Sequence, residues 1–332
     1  MGKHTIIFNN APRINITYTI AGPKENEGPL GQNYNLALKD DRFGEKTYEK
    51  AERKMLERVV EEIIDKSTLK REEIDLLVSG DLLNQIVSAS FTARREQIPY
   101  LGLYGACSTM SESIIVSAIL VDGRYMHNVI ACTGSHFSSA ERQYRYPLEL
   151  GCTRPPSSQW TVTGAGGCLI QDKGNGPKIT MATFGKVIDY GVVDVNNMGA
   201  AMAPAACDTL CTHFKETNRT EKDYDLILTG DLGVLGSKLF VELMQEKGYD
   251  VEKVHDDCGK LVYEKQEDEF QGGSGAGCSA IVFNSYIIDK LRKKEYKRII
   301  FMATGALMSS LTSQQGDSIP SIAHLVVLES ED

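Results

Sequence analysis

Apolar residues recur along the chain in two alternating periods. Between Tyr48 and Asp65 they fall at Met55, Leu56, Val59, Val60 and Ile63 amid charged neighbours, the three-and-four spacing of a helix with one buried face. Asp75–Ser79 then carries a short, nearly continuous apolar run, the pattern of a buried strand. Further along, Thr217–Tyr224 leads into a second such run at Asp225–Thr229. After each strand come a glycine-containing turn and a helix, predicted over Met110–Asp122 and over Ala280–Lys293. Another apolar strand follows each helix and ends in Thr-Gly, at Thr133-Gly134 and at Thr304-Gly305. The charge run Lys290–Arg298 reads as a solvated helix end before the strand at Ile299. Strands alternating with helices predict an α/β fold.

The pattern is an internal repeat. Ile74-Asp75-Leu76-Leu77-Val78-Ser79-Gly80-Asp81-Leu82 returns, 150 residues on, as Tyr224-Asp225-Leu226-Ile227-Leu228-Thr229-Gly230-Asp231-Leu232. Ala106-Cys107-Ser108 matches Gly277-Cys278-Ser279 and Thr133-Gly134 matches Thr304-Gly305, both at an offset of 171. The larger offset calls for about 21 extra residues in the second half, and the charged stretch Val251–Gln271 accommodates them. The expected organisation is therefore two duplicated halves, 1–175 and 176–332, with an insertion near 251–271. Stacked, such halves make a five-layered α/β/α/β/α sandwich.

A chain of 332 residues has the length for two such halves. With 36 basic against 45 acidic side chains its net charge is −9, which argues against a basic nucleic-acid footprint. No apolar stretch approaches the eighteen or so residues of a membrane span, so a membrane role is expected to run through a partner. Met1–Asn10 does not read as a signal peptide. The eight cysteines (Cys107, Cys132, Cys152, Cys168, Cys207, Cys211, Cys258, Cys278) are scattered through apolar and Gly-rich runs and read as reduced cytoplasmic thiols.

The sharpest constellation is Gly105-Ala106-Cys107-Ser108-Thr109, directly before a helix. A thiol there would feel the positive end of the macrodipole, which favours thiolate and suits a nucleophile or an anion contact. A small buried thiol capping a core helix is the structural alternative. His136 follows the strand ending at Ser135 and is expected beside Cys107, at the same end of neighbouring strands. Asp81 and Asp231 stand at equivalent strand ends, where a carboxylate can cap the next turn. The run Gly272–Gly277 before a helix and Gly164–Gly167 before a strand-like Cys168–Ile170 both lack the dinucleotide fingerprint, so no nucleotide cofactor is expected. Such glycines permit close backbone approach and can aim amides at an anion. Cys207, Cys211, His213, His255 and Cys258 are ligand types without the paired short spacing of zinc, and no metal is expected.

The duplicated halves, the Gly-Ala-Cys-Ser-Thr turn and Met198-Gly199-Ala200-Ala201-Met202-Ala203-Pro204-Ala205 together resemble the thiolase-like superfamily. More closely, the chain resembles the stage V sporulation protein AD family of spore-forming Firmicutes. The similar stretches include Ala21–Lys24, Gly28–Gly31, Gly80–Gln85, Ala140–Pro147, His255–Gly259 and Ile322–His324, and they span nearly the full length. The resemblance implies a thiolase-like fold with Cys107 at the acyl-acceptor position. It implies a role in moving dipicolinic acid, as such or as its calcium chelate, into the developing spore. The partners implied are membrane-embedded proteins of the SpoVA system at the forespore or spore inner membrane. Calcium enters only with the ligand, and no cofactor is implied.

Ketoacyl synthases place a catalytic His where this chain has Asp231-Leu232-Gly233, and an Asn where it has Gly273-Ser274, so Claisen chemistry lacks its usual donors. Cys278 lies on the wrong side of its glycine turn to stand for the second cysteine of thiolases. The expected binding set is Cys107, Ser108, Thr109, Ser135, His136, Asp231, Ser274, Met198 and Met202. Two helix N-termini, after Cys107 and after Gly277, are expected to receive the carboxylates. An acyltransferase using Cys107 is the competing expectation. Superfamily resemblance also implies a homodimer through the strand containing Val129 and Ile130.

Overall fold

A computed structural model describes residues 2–145, 153–263 and 270–331. Cys152, the last two residues of the Ala140–Pro147 stretch and 264–269 of the expected insertion lie outside them.

In chain order the first part comprises β1 (Thr5–Ile7), β2 (Arg13–Ala21), α1 (Pro23–Glu27), β3 (Leu36–Ala37), α2 (Tyr48–Ser67), β4 (Leu76–Gly80) and α3 (Val87–Glu96). It continues with β5 (Tyr100–Gly102), α4 (Thr109–Asp122), β6 (Asn128–Ser135), α5 (Phe137–Tyr144), β7 (Trp160–Thr161) and β8 (Gly164–Gln171). The second part comprises β9 (Lys178–Thr183), α6 (Met198–Thr217), β10 (Leu226–Thr229), α7 (Gly233–Glu246), β11 (His255–Asp257), α8 (Cys258–Val262) and β12 (Gly273–Ser274). It ends with α9 (Ala276–Val282), which runs through a π turn at Phe283–Ile287 into α10 (Ile288–Arg292), then β13 (Arg298–Ala306), α11 (Ser310–Gln314) and β14 (Ser321–Glu329).

The strands order as β5-β4-β6-β8-β2 and as β11-β10-β13-β14-β9. In both sets the first three strands are parallel and the last two antiparallel to their neighbours. The two sets meet at a single β2–β9 pairing, Arg13 with Lys178. A separate parallel ribbon, β7 with β12, ties the parts together again by setting Thr161 opposite Ser274.

Because most strands are buried on both faces, each is apolar nearly throughout. Alternate side chains enter different cores. Val78, Val129 and Ala131 from one sheet and Leu228, Phe301 and Val326 from the other pack on α4 and α9, which form the middle layer. Leu77, Ile130 and Leu169 pack under α2, while Ile227, Ile300 and Leu325 pack under α6 and α7. The result is five layers, helix, sheet, helix, sheet, helix, as the repeat predicts.

Two expectations change. The glycines Gly164–Gly167 lie inside β8 rather than before a strand. A Cβ on Gly166 would sit 2.4 Å from the Ala280 carbonyl, so their smallness lets α9 close onto the sheet. The strand bearing Val129 and Ile130 is β6, flanked on both sides by β4 and β8, and it has no edge to offer another copy. The free edge of this sheet is β5.

Candidate functional site

Where the ends of β4, β6, β10 and β13 converge, a narrow pocket with a cavity volume of about 30 Å³ opens beside Cys107. Cys107 occupies a turn just ahead of α4, preceded by Ala106 in the left-handed region (φ 51°), a conformation an alanine adopts only under local constraint. The turn is held from within. Ser108 Oγ donates to the Gly105 carbonyl at 2.7 Å and Thr109 Oγ1 to the Ala106 carbonyl at 2.7 Å. Both hydroxyls are therefore engaged by backbone rather than aimed at the pocket.

Behind Cys107 stands Asp231, buried and surrounded by donors. Its Oδ2 accepts from Ser274 Oγ and from the Gly275 amide, both at 3.0 Å, and its Oδ1 accepts from Thr304 Oγ1 at 2.8 Å. A protein carboxylate thus already occupies the anion seat at the start of α9. The Gly277 amide is likewise taken, by Ser135 Oγ at 3.0 Å, while Ser135 donates to the Val162 carbonyl. The amide donors expected to receive a ligand carboxylate after Gly277 are spent on Asp231 and Ser135.

Burial, followed by the Asp231 charge, pushes the Cys107 thiol well above the ordinary range, and the Ser274 and Gly275 contacts only partly oppose them. Asp231 is itself held above the usual carboxylate range, by burial against those same donors. Burial and the neighbouring carboxyl thus both oppose the thiolate form of Cys107.

His136 does not join the pocket. It caps α5, its Nδ1 accepting from the Ser138 amide at 3.1 Å and its Nε2 donating to the Asp41 carbonyl at 2.6 Å. Burial holds its pKa below the usual value. Ser274 and Met198 do line the pocket, whereas Met202 is fully buried in the core under α6. Cys278 is buried, its thiol on the Gly230 carbonyl at 3.5 Å. Asp81 caps its own turn, accepting from the Leu83 and Ala89 amides at 2.8 Å.

What the sequence reading missed is Arg145. It lines the pocket with its side chain only 3% exposed, paired with Glu141 one turn back on α5. Arg154 adds a second guanidinium to the same carboxylate at 3.3 Å, so two cations share one anion. The Nε atoms of both arginines are buried without a hydrogen-bond partner among the described residues. Burial pulls the Arg145 pKa down and Glu141 pulls it back up. Tyr104 and Tyr144 complete the wall with their hydroxyls 3.0 Å apart. The local signal was the Glu141-to-Arg145 spacing of four, which is also what an ordinary surface pair shows.

His255-Asp256-Asp257-Cys258 builds the support of the site. Asp257 Oδ2 accepts from Thr229 Oγ1 at 2.6 Å and the Leu232 amide at 2.8 Å, and Oδ1 from the Gly233 amide at 2.9 Å. These bonds fix the 229–233 loop that presents Asp231. Among the described residues no group of three or more His, Cys, Asp and Glu side chains could hold a metal ion. No helix among them is long and apolar enough to cross a membrane.

The layered α/β fold is shared with solved thiolase and ketoacyl-synthase structures. The chain aligns over 96% of its length with 3-oxoacyl-[acyl-carrier-protein] synthase III from Aquifex aeolicus VF5, covering 99% of that chain at TM-score 0.58 and 11% identity. It aligns over 98% with human mitochondrial 3-ketoacyl-CoA thiolase, covering all of that chain at TM-score 0.55 and 12% identity. At such identity the likeness is one of fold. Residues 2–329 match the family model described as stage V sporulation protein AD, and the chain belongs to that family. It is 46% identical over 328 residues to stage V sporulation protein AD of Bacillus subtilis (strain 168), which spans 99% of this chain and 97% of the relative.

Proposed function

We propose that this sporulation-family chain is a non-catalytic carrier that binds dipicolinic acid, free or as its calcium chelate, in the Cys107 pocket. It hands the ligand to membrane-embedded SpoVA partners for uptake into the spore, docking peripherally at the inner membrane. The observation that carries the reading is Arg145. A buried guanidinium at a pocket wall, its Nε without a partner among the described residues, asks for an anionic acceptor. Tyr104, Tyr144 and Met198 supply flat or polarizable surface for an aromatic ring. Burial beside Asp231, which opposes a Cys107 thiolate, counts against the acyltransferase alternative.

Calorimetric titration of dipicolinate, with and without calcium and against benzoate and picolinate, tests this. Saturable heat is expected for the wild type. Arg145→Gln is expected to weaken binding about tenfold or more, since a hydrogen bond to a charged group contributes roughly 1.5–3 kcal/mol. Absence of heat at millimolar ligand, or unchanged affinity in a folded Arg145→Gln, overturns the reading.

Self-association belongs to β5, the free edge, where Leu101 is 40% and nearby Tyr104 44% exposed. Sedimentation is expected to give a dimer for the wild type and a monomer for Leu101→Lys. A monomeric wild type refutes the dimer.

A further inference from the structure

We propose that Cys207, Cys211 and Met244 form a binding site for a soft monovalent cation of the copper(I) class. Cys207 and Cys211 are one helical turn apart on α6 and face α7, which carries Met244. The Cys211 sulfur lies 3.8 Å from the Met244 sulfur. A trigonal ion with metal–sulfur bonds of about 2.3 Å requires its sulfurs about 4 Å apart, so this separation already suits one.

The donor set selects the ion. Two thiols and a thioether are soft ligands, which favour copper(I), and three sulfurs leave zinc short of its usual four ligands. The nearby histidine does not enlarge the set, because His213 is held by Thr183 at 2.8 Å and Tyr224 at 2.7 Å.

Charge also fits. Cys207, Cys211 and Met244 are all buried, at 4%, 7% and 0% exposure, so the three sulfurs lie together under the α6–α7 surface. Lys215 and Lys247 sit near Cys211. Binding would release two thiol protons to solvent and leave a dithiolate complex of net charge −1, which the two lysines offset. No oxidation or reduction is involved. None of the three residues lines the Cys107 pocket, so the site is independent of the anion site.

The test is anaerobic titration of the full-length reduced protein with copper(I), using bicinchoninate as the competing chromophore. One tightly held equivalent with thiolate-to-copper absorbance in the ultraviolet is expected for the wild type. It should be lost in the Cys207→Ala/Cys211→Ala double variant and kept in Cys168→Ala. Maleimide labelling of the wild type followed by peptide mass reads the same site without substitution, with Cys207 and Cys211 protected only when copper is bound. No tight equivalent, an equivalent retained by a folded double variant, or protection of other cysteines instead would overturn the assignment.

Discussion

Asp231 has taken the place that a ligand carboxylate was expected to fill. Three donors converge on it, and its charge adds to burial in pushing the adjacent Cys107 thiol up. Asp231→Asn removes that charge, so the Cys107 pKa is expected to fall. In a Cys107-specific maleimide assay the labelling rate should rise at lower pH than in the wild type, and superimposable pH–rate profiles would refute the coupling. The sequence made Cys107 visible because a thiol between glycine and a helix is a local pattern. It could not reveal the opposing carboxylate, because Asp231 lies 124 positions away and meets Cys107 only through stacking of the halves. Arg145 was hidden for a related reason. Its significance is its burial and an Nε without a partner among the described residues, and neither is a property of sequence spacing. His136 was misplaced because a strand-end position fixes where a side chain begins but not which way it points, and its ring turns to Asp41.

Short elements hold these residues in place. Asp257, the N-cap of α8, satisfies Thr229 and the amides of Leu232, Gly233 and Lys260. Asp257→Ala would strand these donors in the interior, at a cost of roughly 1–3 kcal/mol or more. Urea denaturation should show that loss, and dipicolinate affinity should fall although Asp257 does not line the pocket. Wild-type stability in the variant would refute the support role. The repeated Thr-Gly at the strand ends has a physical basis of the same kind. A Cβ on Gly305 would stand 2.2 Å from the Gly105 carbonyl, in the turn that carries Cys107. Gly305→Ala is therefore expected to displace that turn and destabilise by about 1–3 kcal/mol, the usual cost of overpacking. An unchanged melting temperature would show that the turn can yield freely. The repeat pointed to both strand ends, but only the packed structure shows why the glycine is needed.

The repeat was legible because it recurs in residue types, and a like succession of elements extends further than those matches. The outer helices α2 and α6 each span 20 residues and start 150 positions apart, although their sequences differ almost throughout. Layering was legible only as an inference, since periodicity says that a strand is buried on both faces without naming what covers it. The assembly also buries ionisable groups that no local pattern marks. Glu25, on α1, bonds the Thr163 amide at 3.0 Å and the Tyr263 hydroxyl, and burial raises its pKa from 4.5 to about 7. Between those values the folded chain keeps a proton that the unfolded chain has released. Folded stability from this group therefore falls as pH rises from about 4.5 to 7, by at most about 1.4 kcal/mol per pH unit. His213, His255 and His324 act in the opposite sense. Burial lowers them to about 4, 3 and 4, so their contribution is lost as pH falls below 6.5. The two slopes overlap in the wild type, and Glu25→Gln separates them. Urea denaturation at pH 5, 6 and 7 should show the variant gaining on the wild type as pH rises, because only the wild type must ionise a buried carboxyl. Parallel stability curves would mean that Glu25 titrates as it does in the unfolded chain.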